Sequence, residues 1–319
     1  MFYLVVVFLK IVGIVISVLL SVALLTVGER KFLSSIQRRR GPNVVGFFGL
    51  LQAIGDGVKL VLKETTKPTS SDSLLYFLSP IVVFSSSLGC FGVLPFGEGF
   101  VLVDVSLGLL VVLALSSLGV YGVLLGGYSS NSKYGFYGGI RSSAQMISYE
   151  VSIGFILLVV VLLSGGSFNL SELVLFQEGC WNVLALFPIL VLFVVSILAE
   201  TNRHPFDLPE AESELVSGYN VEYSAGGFAL FFLGEYGSII LMSSFCVVLF
   251  FGGWLGVSSL VLGVVWFSLK GFVIVCVFIW ARAAFPRYRY DQLIELGWLS
   301  ILPFTLGYVI LTIGLVSLL

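Results

Sequence analysis

Charge is scarce in this chain. Of its 319 residues only 11% are Asp, Glu, Lys or Arg, against about 25% in a soluble domain. With 58% hydrophobic residues and a mean hydropathy of +1.09, too little polar surface exists to face water all round. That excludes a soluble globular protein and leaves lipid as the solvent. Histidine occurs once, as His204, beside a proline, and one imidazole makes no metal site. The four cysteines, Cys90, Cys180, Cys246 and Cys276, lie far apart in or beside apolar runs. No Cys-x-x-Cys pair exists to hold a metal or a redox couple. They read as small buried hydrophobes, with a disulfide the lesser alternative. A glycine-rich dinucleotide fingerprint, a P-loop and a serine nucleophile elbow are all missing. The chain therefore has no visible means of holding flavin, nicotinamide or an iron–sulfur cluster, and is expected to carry no electrons by itself.

What the sequence has is long apolar runs. A spanning helix needs roughly 20 apolar residues, and candidates lie at about 3–27, 74–95, 103–126, 144–164, 182–200, 225–251, 260–281 and 298–318. The first run is too long for a leader's apolar core, and bases follow it instead of preceding it, so it reads as a membrane helix. The fold class is all-α and polytopic: about eight transmembrane helices in one integral membrane domain, 1–319. No internal repeat is evident, which argues against a transporter built from inverted repeats.

The connections alternate in charge. Arg30, Lys31, Arg38, Arg39, Arg40, Lys59, Lys63 and Lys67 follow the first run. Lys133 and Arg141 lie in the third connection, Arg203 in the fifth, and Arg282, Arg287 and Arg289 in the seventh; the second, fourth and sixth have no Lys or Arg. By the positive-inside rule the odd connections face the cytoplasm or matrix and both termini face the other side. Segment 47–64 is too charged to span. Gln52, Asp56, Lys59 and Lys63 share one helical face, with Leu51, Ile54, Val58, Val61 and Leu62 mostly elsewhere, so an interfacial amphipathic helix is expected there. Gly55 and Gly57 weaken it.

Ionisable groups inside spans cost about 2.5–3.5 kcal/mol each on insertion scales. The spans nevertheless hold Lys10, Glu150, Glu200, Glu235 and Lys270, with Glu222 at the start of the sixth. Pairing, for instance of a glutamate with Lys270, is the structural reading. A relay of carboxylates that take up and release protons is the functional one, favoured because several occur in one chain. The fifth connection, about 200–224, crowds Asp207, Glu210, Glu212 and Glu214 between Glu200 and Glu222 with Arg203 as its only base. Mutual repulsion makes such a loop sensitive to protonation, and Pro205, Phe206, Leu208 and Pro209 make it stiff and apolar enough to pack.

Five stretches resemble subunit 1 of respiratory NADH–quinone oxidoreductase, complex I. They are Glu29 to Gly46 (ERKFLSSIQRRRGPNVVG), Gly49 to Glu64 (GLLQAIGDGVKLVLKE), Arg141 to Glu150 (RSSAQMISYE), Leu198 to Tyr236 (LAETNRHPFDLPEAESELVSGYNVEYSAG, running on into FALFFLGEY) and Trp280 to Trp298 (WARAAFPRYRYDQLIELGW). They fall in order over nearly the whole chain. The resemblance implies a membrane-arm subunit at the joint with the peripheral arm, forming the membrane end of a ubiquinone tunnel. FMN and iron–sulfur clusters would belong to partner subunits, none being bound by this chain, and the partners would be other complex I subunits and membrane lipid, not nucleic acid. It places Glu29, Arg30, Arg39, Asp56, Phe228, Tyr236 and Arg282 around the quinone. It assigns proton coupling to Glu150, Glu200, Asp207, Glu210, Glu212, Glu214, Glu222 and Glu235, with no metal site. The expected location is the mitochondrial inner membrane, basic loops toward the matrix and both termini toward the intermembrane space. Ala53 and Gly227 stand where the family usually has proline, and Lys10 is unusual. Rival readings are the equivalent subunit of a plastid, cyanobacterial or hydrogenase complex, an independent transporter, and a passive anchor for the peripheral arm.

Overall fold

The computed structural model describes residues 2–207, 217–256 and 260–318. Among them every regular element is helical. The helices are α1 (Phe2–Ile36), α2 (Gln52–Leu62), α3 (Ser73–Phe91), α4 (Gly108–Ser129), α5 (Lys133–Leu163), α6 (Leu170–Phe176), α7 (Asn182–Ala185), α8 (Phe187–Glu200), α9 (Ala225–Phe250), α10 (Leu260–Ala284), α11 (Tyr290–Glu295) and α12 (Leu302–Leu318). A π-helical turn, Leu296–Ile301, joins α11 to α12 in one rod.

Seven of these are long and apolar enough to cross a membrane: α1, α3, α4, α5, α9, α10 and the α11–α12 rod. The run at 182–200 differs from the expectation of an unbroken span. It breaks at Leu186 into the four residues of α7 and the 14 of α8, with Pro188 in the first turn of α8. Together the 19 residues from Asn182 to Glu200 rise about 28 Å, close to the roughly 30 Å hydrocarbon core, so this run is a shorter, broken eighth apolar segment beside the seven long ones. Other spans are longer than their apolar runs. α1 continues through Glu29, Arg30 and Lys31 to Ile36, and α5 starts eleven residues early, at Lys133. There the Ser132 hydroxyl accepts from the Gly135 N–H at 3.1 Å and caps the helix. Segment 47–64 is not one helix. A 3-10 turn at Phe47–Gly49 precedes α2, with Gly46, Phe48 and Gly49 all at positive φ.

Most of α9 is buried, and it packs on α1, α3, α8 and α10. Phe193 of α8 sits 6.1 and 5.4 Å from the rings of Phe245 and Phe250. The outer faces stay apolar, with Leu20 and Ile310 exposed, as lipid or a neighbouring subunit demands. Close helix approach rests on glycine: a Cβ at Gly127 of α4 would lie 2.7 Å from the Gly135 carbonyl oxygen of α5. The cysteines are free; Cys90 and Cys246 are buried, Cys276 half-buried and Cys180 exposed.

Candidate functional site

Glu29 is a carboxylate about two turns before the end of a membrane helix, and it is 6% exposed. A buried charge must be paired and hydrogen-bonded, and three elements supply the partners. Arg203 donates to Glu29 Oε1 at 3.2 Å, Arg282 at the end of α10 donates to the same oxygen, and the Tyr236 hydroxyl of α9 donates to Oε2 at 2.7 Å. The Arg203 guanidinium also lies 4.2 Å from the centre of the Tyr236 ring, a cation–π distance. A narrow cavity opens on this cluster, lined by all four residues together with apolar side chains such as Leu25, Ile239 and Phe278.

One residue further along α1 the side chain points away from the bundle. Arg30 donates to Asp56 Oδ2 at 2.8 Å and Gln52 to Asp56 Oδ1 at 2.9 Å, which ties α2 to α1. The apolar face of α2, Ile54, Val58, Val61 and Leu62, stays exposed. On α9 the rings of Phe228, Phe232 and Tyr236 succeed one another at 5.6 and 4.7 Å, an aromatic stripe running from the helix start down to Glu29. Arg39 stands apart, exposed in the turn after α1, where its backbone N–H bonds the Ser34 carbonyl at 2.8 Å.

A second, wider cavity gathers two of the acids. Glu200, Tyr219 and Glu235 line it, with Ser86, Ser87, Ser116 and Ser238 among apolar neighbours. Tyr219 donates to Glu235 Oε1. Glu200 is 4% exposed, and its Oε2 meets no protein donor, an atom that calls for water. The serines are back-bonded to their own helices: Ser86 to Val83, Ser87 to Phe84, Ser116 to Leu113 and Ser238 to Glu235. Their lone pairs remain for water. Glu150 is half-buried on α5, which packs on α8, but is not part of this lining. Glu222 lies in the turn before α9, where its carbonyl accepts from the Tyr76 hydroxyl at 2.8 Å.

Between the two cavities runs the segment after α8. Arg287 stands 3.6 Å from Asp207 Oδ2, and Tyr288 stacks on Phe206 at 5.5 Å. The Gln145 amide of α5 donates to the Ala199 and Phe206 carbonyls at 2.8 and 2.9 Å, which holds the turn at both ends. Burial, then the charges of Arg287 and Arg282, pushes His204 below its ordinary value of 6.5, so the imidazole is neutral. Glu210, Glu212 and Glu214 lie outside the described residues. Among those described, no group of three or more His, Cys, Asp or Glu is placed to hold a metal.

The structure therefore unites Glu29, Tyr236 and Arg282, pairs Arg30, the next residue of α1, with Asp56 of α2 outside that cluster, and sets Glu200 and Glu235 on a separate cavity. Sequence reasoning missed Arg203, Tyr219 and Gln145 as members of the site. Arg203 was legible as the only base in an acidic loop; nothing marked the other two. Among the described residues no glutamate pairs with Lys270, which bonds backbone carbonyls instead.

Comparison with known proteins agrees with the sequence resemblance. The profile of the family described as NADH dehydrogenase matches residues 9–313. The chain is 55% identical to NADH-ubiquinone oxidoreductase chain 1 of Chondrus crispus, over 96% of this chain and 95% of that one. It is 54% identical to chain 1 of Arabidopsis thaliana over the same shares, and 54% identical to an NADH-quinone oxidoreductase subunit of Rickettsia prowazekii over 98% and 94%. The chain thus belongs to the NADH dehydrogenase family, as a multi-pass membrane subunit of the NADH–quinone oxidoreductase complex.

Proposed function

We propose that this subunit forms the membrane end of the passage by which ubiquinone reaches its reduction site, and that its buried carboxylates couple that reduction to proton movement. The single observation that carries the reading is the Glu29 cluster: a buried carboxylate held by two guanidiniums and a phenol, opening on a cavity with apolar walls. Apolar walls suit an isoprenoid tail. Guanidinium and phenol donors suit an oxygen that gains negative charge as two electrons arrive. The amphipathic α2, tied to the same end of α1 through Asp56 and Arg30, would lie at the membrane interface beside the mouth, with Phe228 above Tyr236.

Reduction of a quinone consumes two electrons and two protons, so acids must refill nearby. Asp207, Glu210, Glu212 and Glu214 would sense that demand, and Glu150, Glu200, Glu222 and Glu235 would pass protonation into the membrane. Moving each proton against about 100 mV costs roughly 2.3 kcal/mol. That energy must come from partner subunits carrying FMN and iron–sulfur clusters. The basic connections would face the matrix and both termini the intermembrane space of the mitochondrial inner membrane.

A photoactivatable ubiquinone analogue tests this directly in the assembled complex. Label is expected on peptides around 29–36, 52–62 and 228–236, competed away by excess ubiquinone. Label confined to other parts of the chain, or none competed, would overturn the proposal and favour a passive anchor.

A further inference from the structure

Lys270 is a charge eleven residues into α10, in a span of 23 residues from Leu262 to Ala284. A lysine within a span is costly and marks a specific use. Its ammonium donates to three backbone carbonyls: Phe251 at 2.7 Å, Leu255 at 2.9 Å and Gly253 at 3.0 Å. An ammonium has three hydrogens, and these acceptors use all of them. The nitrogen also lies 4.7 Å from the Trp181 ring centre and 5.7 Å from that of Trp266, which adds two π faces.

The cage is the loop that ends α9. Gly252, Gly253 and Gly256 have φ of 67°, 50° and 125°, a region open to glycine, and this turns successive carbonyls toward one point. A Cβ on Gly253 would lie 2.8 Å from Val174, so the packing also demands glycine there. These carbonyls follow a helix C-terminus, where acceptors are left over and the dipole favours a cation. Gly252, Gly253 and Trp254 are buried, as non-helical backbone at membrane depth must be. Neighbouring groups are satisfied by amides: Gln177 donates to Val248 at 2.9 Å and accepts from the Gly252 N–H at 3.0 Å, and Asn182 donates to Leu249 at 2.9 Å.

We infer that loop 251–256 is a binding site for a primary alkylammonium ion, made of three carbonyls and two indole faces, which the chain fills with its own Lys270. Unwound helix ends that coordinate monovalent cations are a general device in membrane proteins. Here the ligand is tethered, so occupancy pins the end of α9 to α10 and α7. The N-terminal half of α9 carries Phe228, Glu235 and Tyr236, and its N-cap, Ser224, is tied to Thr66, whose N–H donates to the Ser224 hydroxyl at 2.8 Å. The helix is therefore anchored at its C-terminal end by the Lys270 cage as well as at the candidate site by the Tyr236–Glu29 bond.

Chemical rescue of Lys270→Ala in the assembled complex tests this. Truncation at Cβ removes the equivalent of n-propylammonium. The variant is expected to lower Tm and to speed amide exchange at Gly252 and Gly253, and n-propylammonium is expected to restore both in a saturable way. Tetraethylammonium, which has no N–H, and potassium or sodium at equal ionic strength are expected to restore neither. Rescue by no ion, by potassium or sodium alone, or equally by every salt would overturn the proposal. If Lys270→Ala fails to assemble, Lys270→Met keeps most of the apolar stem without the charge. Faster exchange at Gly252 and Gly253 supports the cage, and wild-type exchange with wild-type Tm refutes it. None of these readouts involves quinone, so they stand or fall apart from the proposed function.

Discussion

The Tyr236 hydroxyl reaches Glu29 Oε2 at 2.7 Å from 207 residues away in sequence, and so fastens α9 to α1 at the wall of the Glu29 cavity. Tyr236→Phe should leave that oxygen buried without its donor, at about 1–3 kcal/mol. Glu29→Gln should be worse. Breaking a fully buried ion pair costs about 3–5 kcal/mol, and the lower end applies here because the Arg282 side chain is 40% exposed. Both variants should lower quinone reductase activity with NADH oxidation by an artificial acceptor intact. Equal loss in both assays would place the effect elsewhere in the complex.

Gly138 is where α5 meets the turn that presents Tyr219. A Cβ there would lie 2.7 Å from Gly218 Cα and 2.8 Å from the Tyr219 nitrogen, both backbone atoms that cannot rotate aside. Gly138→Ala should therefore displace Tyr219 and loosen its bond to Glu235. Coupling should suffer more than electron flow: protons translocated per electron pair should fall further than turnover does.

These two sites also mark how far the sequence could be read. Hydropathy shows the long spans because each must bury its own backbone polar groups in lipid. It does not show that 182–200 is broken, since an apolar run of ordinary length does not reveal that Leu186 and Pro188 divide it. The charges Glu29, Glu200 and Glu235 stand out against an apolar background. Their partners do not: Tyr219, Tyr236 and Gln145 act through distances set by packing, and a tyrosine or glutamine carries no local pattern that says what it touches. Lys270 is legible as an anomaly, while its carbonyl partners, which have no side-chain signature, are not.

Gln145 holds the segment after α8 through two carbonyls, Ala199 and Phe206. Gln145→Leu fills similar space without donors and should cost about 1–3 kcal/mol for the Phe206 carbonyl left dry, the Ala199 carbonyl keeping the Asn202 N–H at 3.2 Å. Amide exchange across 199–207 should rise, while the peptides of α4 and α12 keep wild-type rates.

The pH response of the same segment follows from His204. Its folded value lies below 6.5, so between that value and 6.5 the unfolded segment binds a proton that the folded one refuses. This contribution to stability is full above pH 6.5 and falls as the pH drops through it. Proteolysis or exchange of 201–207 should accelerate on acidification from about pH 7.5 toward about 5.5, the range that brackets an ordinary imidazole. His204→Gln, which cannot titrate beside Arg287 and Arg282, should remove that part of the slope.

The central claim is that Glu200 and Glu235, on one cavity, carry protons in response to quinone reduction. The most direct test is the number of protons translocated per NADH in proteoliposomes holding complexes with Glu200→Gln or Glu235→Gln. Assembly with a marked fall in that number is the predicted result. Full assembly with wild-type turnover and an unchanged proton yield in both variants would contradict it.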